Sequence, residues 1–129
     1  MDDALIDAAR GARENAYAPY SRYAVGAALE TADGRIFTGA NVENASLGLT
    51  NCAERVALGA AVTAGARQFN RIVVVTASSP PAAPCGACRQ MLSEFGGDMT
   101  VEAVGPGDVR RWRLGELLPD AFADDDLAT

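Results

Sequence analysis

Histidine and lysine are both absent from this chain of 129 residues. The first absence removes the commonest metal ligand and the commonest general base near neutral pH, so any chemistry must run on Cys, Asp, Glu or Tyr. All 11 basic residues are arginines, set against 17 acidic ones, which leaves a net charge of -6 and a pI near 4.5. Phosphate-binding surfaces need clustered cations, and the only close cluster is Arg110, Arg111 and Arg113. That segment reads as a solvated edge, no nucleic-acid partner is expected, and a small soluble substrate fits the charge better. Long apolar runs are also missing, and Met1-Asp2-Asp3-Ala4 is acidic and helix-like. Neither a secretory signal nor a membrane span is expected, and the cytoplasm is the expected compartment. Cysteine is scarce, with 3 residues, and an odd number in such a chain argues against a disulfide framework and for metal or catalysis.

Apolar residues, by contrast, make up 49% of the chain, enough for a core that needs neither disulfide nor metal to fold. One domain spanning residues 1–129 is expected. Residues 3 to 16 place Leu5, Ala8, Ala9 and Ala12 on one side, the pattern of an amphipathic helix, before Pro19. Tyr23 to Thr31 and Arg35 to Val42 read as antiparallel strands joined at Asp33-Gly34. After Asn51 a helix presents Ala53, Val56, Ala57, Ala60 and Ala61, and Gly65 is its expected end. Ile72 to Val75 is fully apolar and β-branched, as a strand buried on both faces requires. A proline-rich loop from Ser78 to Pro84 leads into a helix over 86–95 with Met91, Leu92 and Phe95 as core contacts. Met99 to Val104 and Val109 to Leu114 complete the strands, and a helical turn follows at Gly115 to Leu118. Alternating strands and helices predict an α/β layer architecture around one sheet.

All three cysteines fall at expected helix starts, Cys52 in Asn51-Cys52-Ala53-Glu54-Arg55 and the others in Pro84-Cys85-Gly86-Ala87-Cys88. A helix N-terminus offers unpaired N–H groups and partial positive charge, which favours the thiolate a metal requires. Cys85 and Cys88 share one face of one turn. A Cys-x-x-Cys pair alone also suits thioredoxin-like redox chemistry or a zinc ribbon, and three cysteines can simply be small buried apolar residues. A ribbon, however, needs four ligands, whereas three ligands with an open fourth position describe catalytic zinc. Glu54, two residues after Cys52, is placed to lean past the metal and shuttle a proton from water, although Glu is common in a first turn for its dipole alone. Three thiolates on a divalent ion leave one net negative charge, which Arg55 and Arg89, each adjacent to a cysteine or Glu54, would offset.

These motifs resemble the zinc-dependent nucleoside deaminases, in particular the small cytidine deaminases. The resemblance extends from Pro19-Tyr20-Ser21 through Val25-Gly26-Ala27, residues Gly39 to Ala45 and both cysteine blocks to Leu117-Leu118-Pro119-Asp120-Ala121-Phe122. It implies a three-layer α/β/α fold with a mixed five-stranded sheet, one Zn²⁺ on Cys52, Cys85 and Cys88, and Glu54 as the proton carrier. It further implies that Asn41 and Glu43 hold ribose hydroxyls, that Tyr23 and Ala53 lie near the base, and that Phe122 closes a site as a donated lid residue. The implied assembly is a homotetramer with shared active sites, and the implied reaction converts cytidine and 2'-deoxycytidine to their uridine products in pyrimidine salvage. Two positions depart from the pattern. Tyr23 stands where relatives usually have Phe, and Leu47 where they commonly have a Tyr that reaches a neighbouring subunit. A deaminase for a blasticidin-type antibiotic and a zinc-stabilised nucleoside-binding module without activity are the rival readings.

Overall fold

The computed structural model describes residues 3–127, so Met1 and Asp2 of the N-terminal segment lie outside the described residues. Helix α1 (Ala4–Arg13) is capped by Asp3, whose carboxylate accepts from the N–H groups of Leu5 and Ile6. The helix ends three residues short of the amphipathic stretch, in turns at Glu14 to Ala16, and buries Leu5 and Ala9. Strands β1 (Gly26–Thr31) and β2 (Ile36–Ala40) pair antiparallel through a turn at Gly34, whose φ of 90° is one that glycine adopts without cost. Helix α2 (Ala53–Thr63) follows, then β3 (Phe69–Val75), helix α3 (Gly86–Ser93), β4 (Thr100–Val104), β5 (Val109–Arg113) and a short helix α4 (Leu114–Leu117).

The five strands form one mixed sheet in the order β2-β1-β3-β4-β5, with β3 and β4 parallel and every other pair antiparallel. Strand β3 is central, as its unbroken apolar run requires, and its side chains alternate between two cores. Ile72 and Val74 meet Ala53, Ala57, Leu58 and Leu92 on one face, while Val73 and Val75 meet Leu5 and Ala9 of α1 on the other. The sheet is thereby enclosed between α1 and the α2/α3 layer. Among the described residues no helix is long and apolar enough to cross a membrane.

Two core expectations are corrected. Ala60 and Met91 are exposed, because each sits at the margin of its helix's apolar stripe, and Leu58 takes the buried place on α2 instead. The arginine-rich segment is β5, one of the two edge strands. There Arg110 lies 4.6 Å from the Trp112 ring centroid, and Arg111 reaches across to the buried Glu102 at 3.1 Å. Glu102 also pairs with Arg71, which pairs in turn with Asp3 and so ties the start of α1 to the sheet.

Gly39 sets the distance between α2 and the sheet. A Cβ there would stand 2.5 Å from both the Ala53 carbonyl oxygen and the Ala57 nitrogen. Gly39→Ala is therefore expected to destabilise the protein by about 1–3 kcal/mol in denaturant melts, since α2 must retreat from β2. Because Cys52 is the N-cap of α2, the same retreat should displace its sulfur.

Candidate active site

Cys52 and Cys85 are the N-caps of α2 and α3, with extended backbone angles, and Cys88 completes the first turn of α3. Neither cap cysteine uses its sulfur to cap its helix, so both sulfurs remain available. The helix starts converge beside the end of β3, and the three Sγ atoms lie within 4.8 Å of one another. Sulfurs at about 2.3 Å from one tetrahedral ion stand about 3.8 Å apart, so small rotations close this cluster on zinc. All three cysteines are free thiols. The donor set fits the metal.

Charge and burial act on the thiols in opposite directions. The Cys52 thiol is lowered to about 5, first by its hydrogen bond with Cys88 and then, against the opposing effect of burial, by the Arg55 guanidinium. Cys88, fully buried, is pushed the other way because it shares its proton with the Cys52 thiolate and is removed from water. Arg55 Nη2 lies 3.8 Å from Cys52 Sγ and donates to the Thr50 carbonyl at 2.9 Å, which fixes the guanidinium against the cluster. Arg89 departs from the expected role. Its Nε and Nη1 donate to the Pro84 and Leu117 carbonyls at 2.8 and 2.9 Å, so it braces the approach to Cys85 instead of bonding a sulfur.

Glu54 is 5% exposed, in the first turn of α2 beside Cys88 and Cys52. Burial raises its pKa, the Cys52 charge adds to the shift, and its own backbone N–H, the hydrogen bond with Cys88 and the Arg55 charge only partly oppose it. It lines a cavity of about 290 Å³ together with Cys52, Cys85, Ala53, Tyr23, Asn41 and Glu43. A larger cavity of about 510 Å³ lies between the end of α1 and the ends of β3 and β4 and contains no thiol, so the chemistry belongs to the smaller one.

Asn41 and Glu43 border the cavity with much of their hydrogen-bonding capacity already engaged. Asn41 Nδ2 donates to the Tyr23 carbonyl at 2.8 Å, and its Oδ1 accepts from Val25 N–H at 2.9 Å. Glu43 accepts from the N–H groups of Tyr20 and Ser21 and from the Ser21 hydroxyl, which lowers its pKa. Asn41 retains one amide hydrogen and one oxygen lone pair for a ligand, and Glu43 retains one lone pair on Oε2. Phe122 is 58% exposed and does not line the cavity of its own chain, and its carbonyl accepts from Gln90 Nε2. Val74, Thr76, Ala82 and Ala83 also line the cavity. They are small or aliphatic residues with no chemical signature in sequence, and only the convergence of β3 with the following loop reveals them.

The family model described as "Cytidine and deoxycytidylate deaminase zinc-binding region" matches residues 1–103. The chain belongs to this family. A cytidine deaminase of Halalkalibacterium halodurans is 50% identical to the deaminase chain described here over 125 residues, covering 95% of each. The crystal structure of a cytidine deaminase from Burkholderia pseudomallei superposes with a TM-score of 0.90 at 56% identity, covering 95% of this deaminase and all of that chain. A blasticidin-S deaminase of Bacillus cereus is more distant, at 32% identity over 77% of this chain and 76% of its own.

Proposed function

We propose that this chain, acting as one catalytic domain, hydrolyses the C4 amino group of cytidine and 2'-deoxycytidine, releasing ammonia and uridine or 2'-deoxyuridine. The observation that carries the reading is the buried carboxyl of Glu54 beside three convergent thiols at one end of a small cavity. Zinc, when bound by Cys52, Cys85 and Cys88, supplies a Lewis acid with an open position that lowers the pKa of water. The chain's own residues supply the proton transfers. Glu54 takes a proton from the attacking water and delivers it to the ring nitrogen, then moves the remaining proton of the added hydroxyl to the amino group as the C4–N bond breaks and the C4 carbonyl forms. One water adds and one ammonia leaves. A carboxyl whose burial raises its proton affinity suits both directions of that shuttle.

Asn41 and Glu43, with their spare hydrogen-bonding capacity, suit the ribose hydroxyls, while Tyr23 and Ala53 border the base and Arg55 moderates the thiolate charge. The exposed apolar side chains of Leu47, Leu49 and Phe122 suit burial against further copies of the chain, in keeping with a homotetramer with shared sites, which a monomeric sedimentation profile would contradict. Turnover is to be measured on cytidine, deoxycytidine, adenosine and blasticidin S, with zinc determined on the same sample. Deamination of the two cytosine nucleosides alone is the expected result. Preference for the antibiotic would move the assignment to the rival class, and nucleoside binding without ammonia release would make the chain a binding module.

A further inference from the structure

Tyr23 is held at three points. Its N–H donates to Ser21 Oγ at 3.0 Å, its carbonyl accepts from Asn41 Nδ2 at 2.8 Å, and its hydroxyl is hydrogen-bonded to Ser78 Oγ. The first two contacts belong to the wall of the cavity that precedes β1. The third reaches Ser78, which does not itself line the cavity but opens the loop whose later residues do. Ser78 lies just beyond β3, and its N–H donates at 3.1 Å to Oγ1 of Thr76, which is buried at the strand end. From Ser78 the chain runs to Ala82, Ala83, Pro84 and Cys85, all of which line the cavity. One side chain thus ties the segment positioned by Asn41 to the loop that leads into the thiol cluster, and it does so at the phenolic oxygen. A phenylalanine at this position would keep the aromatic face and lose the tie.

We propose that the Tyr23 hydroxyl and Ser78 form a latch between the Tyr23 side of the cavity and the loop that leads to Ala82, making Tyr23 and Ser78 positioning residues that set the aperture available to the pyrimidine base. The proposal rests on the nucleoside reading of this cavity. The latch holds the two walls at a fixed separation before substrate enters, so base binding needs no further ordering of the loop. Its loss lets the Ser78 to Pro84 wall move outward. A loosened wall grips cytosine less well and penalises a base with an added methyl group less. Proton transfer itself is spared, because Glu54 and Cys52 are fixed by α2, and the loop end at Pro84 remains braced by Arg89.

The test uses zinc-loaded wild type, Tyr23→Phe, Ser78→Ala and the double variant, with steady-state kinetics on cytidine and 5-methylcytidine and with melting temperatures. Each single variant should raise KM for cytidine by about 3- to 10-fold, the range that loss of one hydrogen bond supplies, with kcat within about twofold. The preference for cytidine over 5-methylcytidine should narrow. The double variant should be no worse than either single one, since both remove the same contact. Lower melting temperatures with unchanged KM and unchanged preference would reduce the contact to a purely structural one and overturn the latch, as would additive KM effects in the double variant. A wild-type enzyme inactive on cytidine would overturn the site reading and the latch together, whereas an active wild type with unmoved variants overturns the latch alone.

Discussion

Glu54→Gln is expected to lower cytidine turnover by roughly 10³-fold, while zinc content and melting temperature stay close to wild type. The amide has the shape of the carboxyl and fits the same buried place in the first turn of α2. It is neutral, and burial already favours the neutral form of Glu54, so the fold loses little. The amide cannot accept a proton from water or return one to the ring, and both transfers of the proposed reaction depend on that group. The effect should therefore appear in kcat, with KM changing much less. Zinc analysis and single-turnover kinetics on one preparation provide the check. A variant that keeps its zinc and retains near-normal turnover would remove Glu54 from the mechanism.

Cys85→Ala is the second large effect, and it separates the metal from the fold better than the other two ligands do. Cys88 is fully buried, so its replacement also opens a void against the core. Cys85 is exposed, and its sulfur makes no cap hydrogen bond, so alanine there costs α3 little. Two thiols remain, too few for a stable catalytic zinc site. Zinc content should fall to background after dialysis, and turnover should fall by well over the 10- to 100-fold that typically follows loss of an outer-sphere partner. Full zinc occupancy in this variant would require a different ligand set.

Some of this molecule is readable from local pattern. The run Ile72 to Val75 has the composition of a doubly buried strand, and β3 is flanked by β1 and β4. Asp33-Gly34 carries turn chemistry that needs no distant partner, and β1 and β2 meet there. Arg89 shows the boundary. Its place after Cys88 suggested a thiolate partner, yet it donates to the carbonyls of Pro84 and Leu117, and Leu117 is 28 residues away in the chain. Ser78 shows it too, as a serine in a proline-rich loop whose partner lies 55 residues earlier.

By itself, the sequence determined the donor chemistry: three cysteines at helix starts, a glutamate in the first turn of α2, and no histidine or lysine to compete with them. These follow from residue type and spacing along a few turns, where backbone geometry alone dictates which groups are neighbours. Only the tertiary structure decided that Cys52 and the Cys85/Cys88 pair meet, that Glu54 is buried beside them, and that Asn41 and Glu43 brace the segment carrying Tyr23. Those relations join segments separated by many residues, and they arise because burying the two faces of one sheet brings the N-termini of α2 and α3 together at the end of β3.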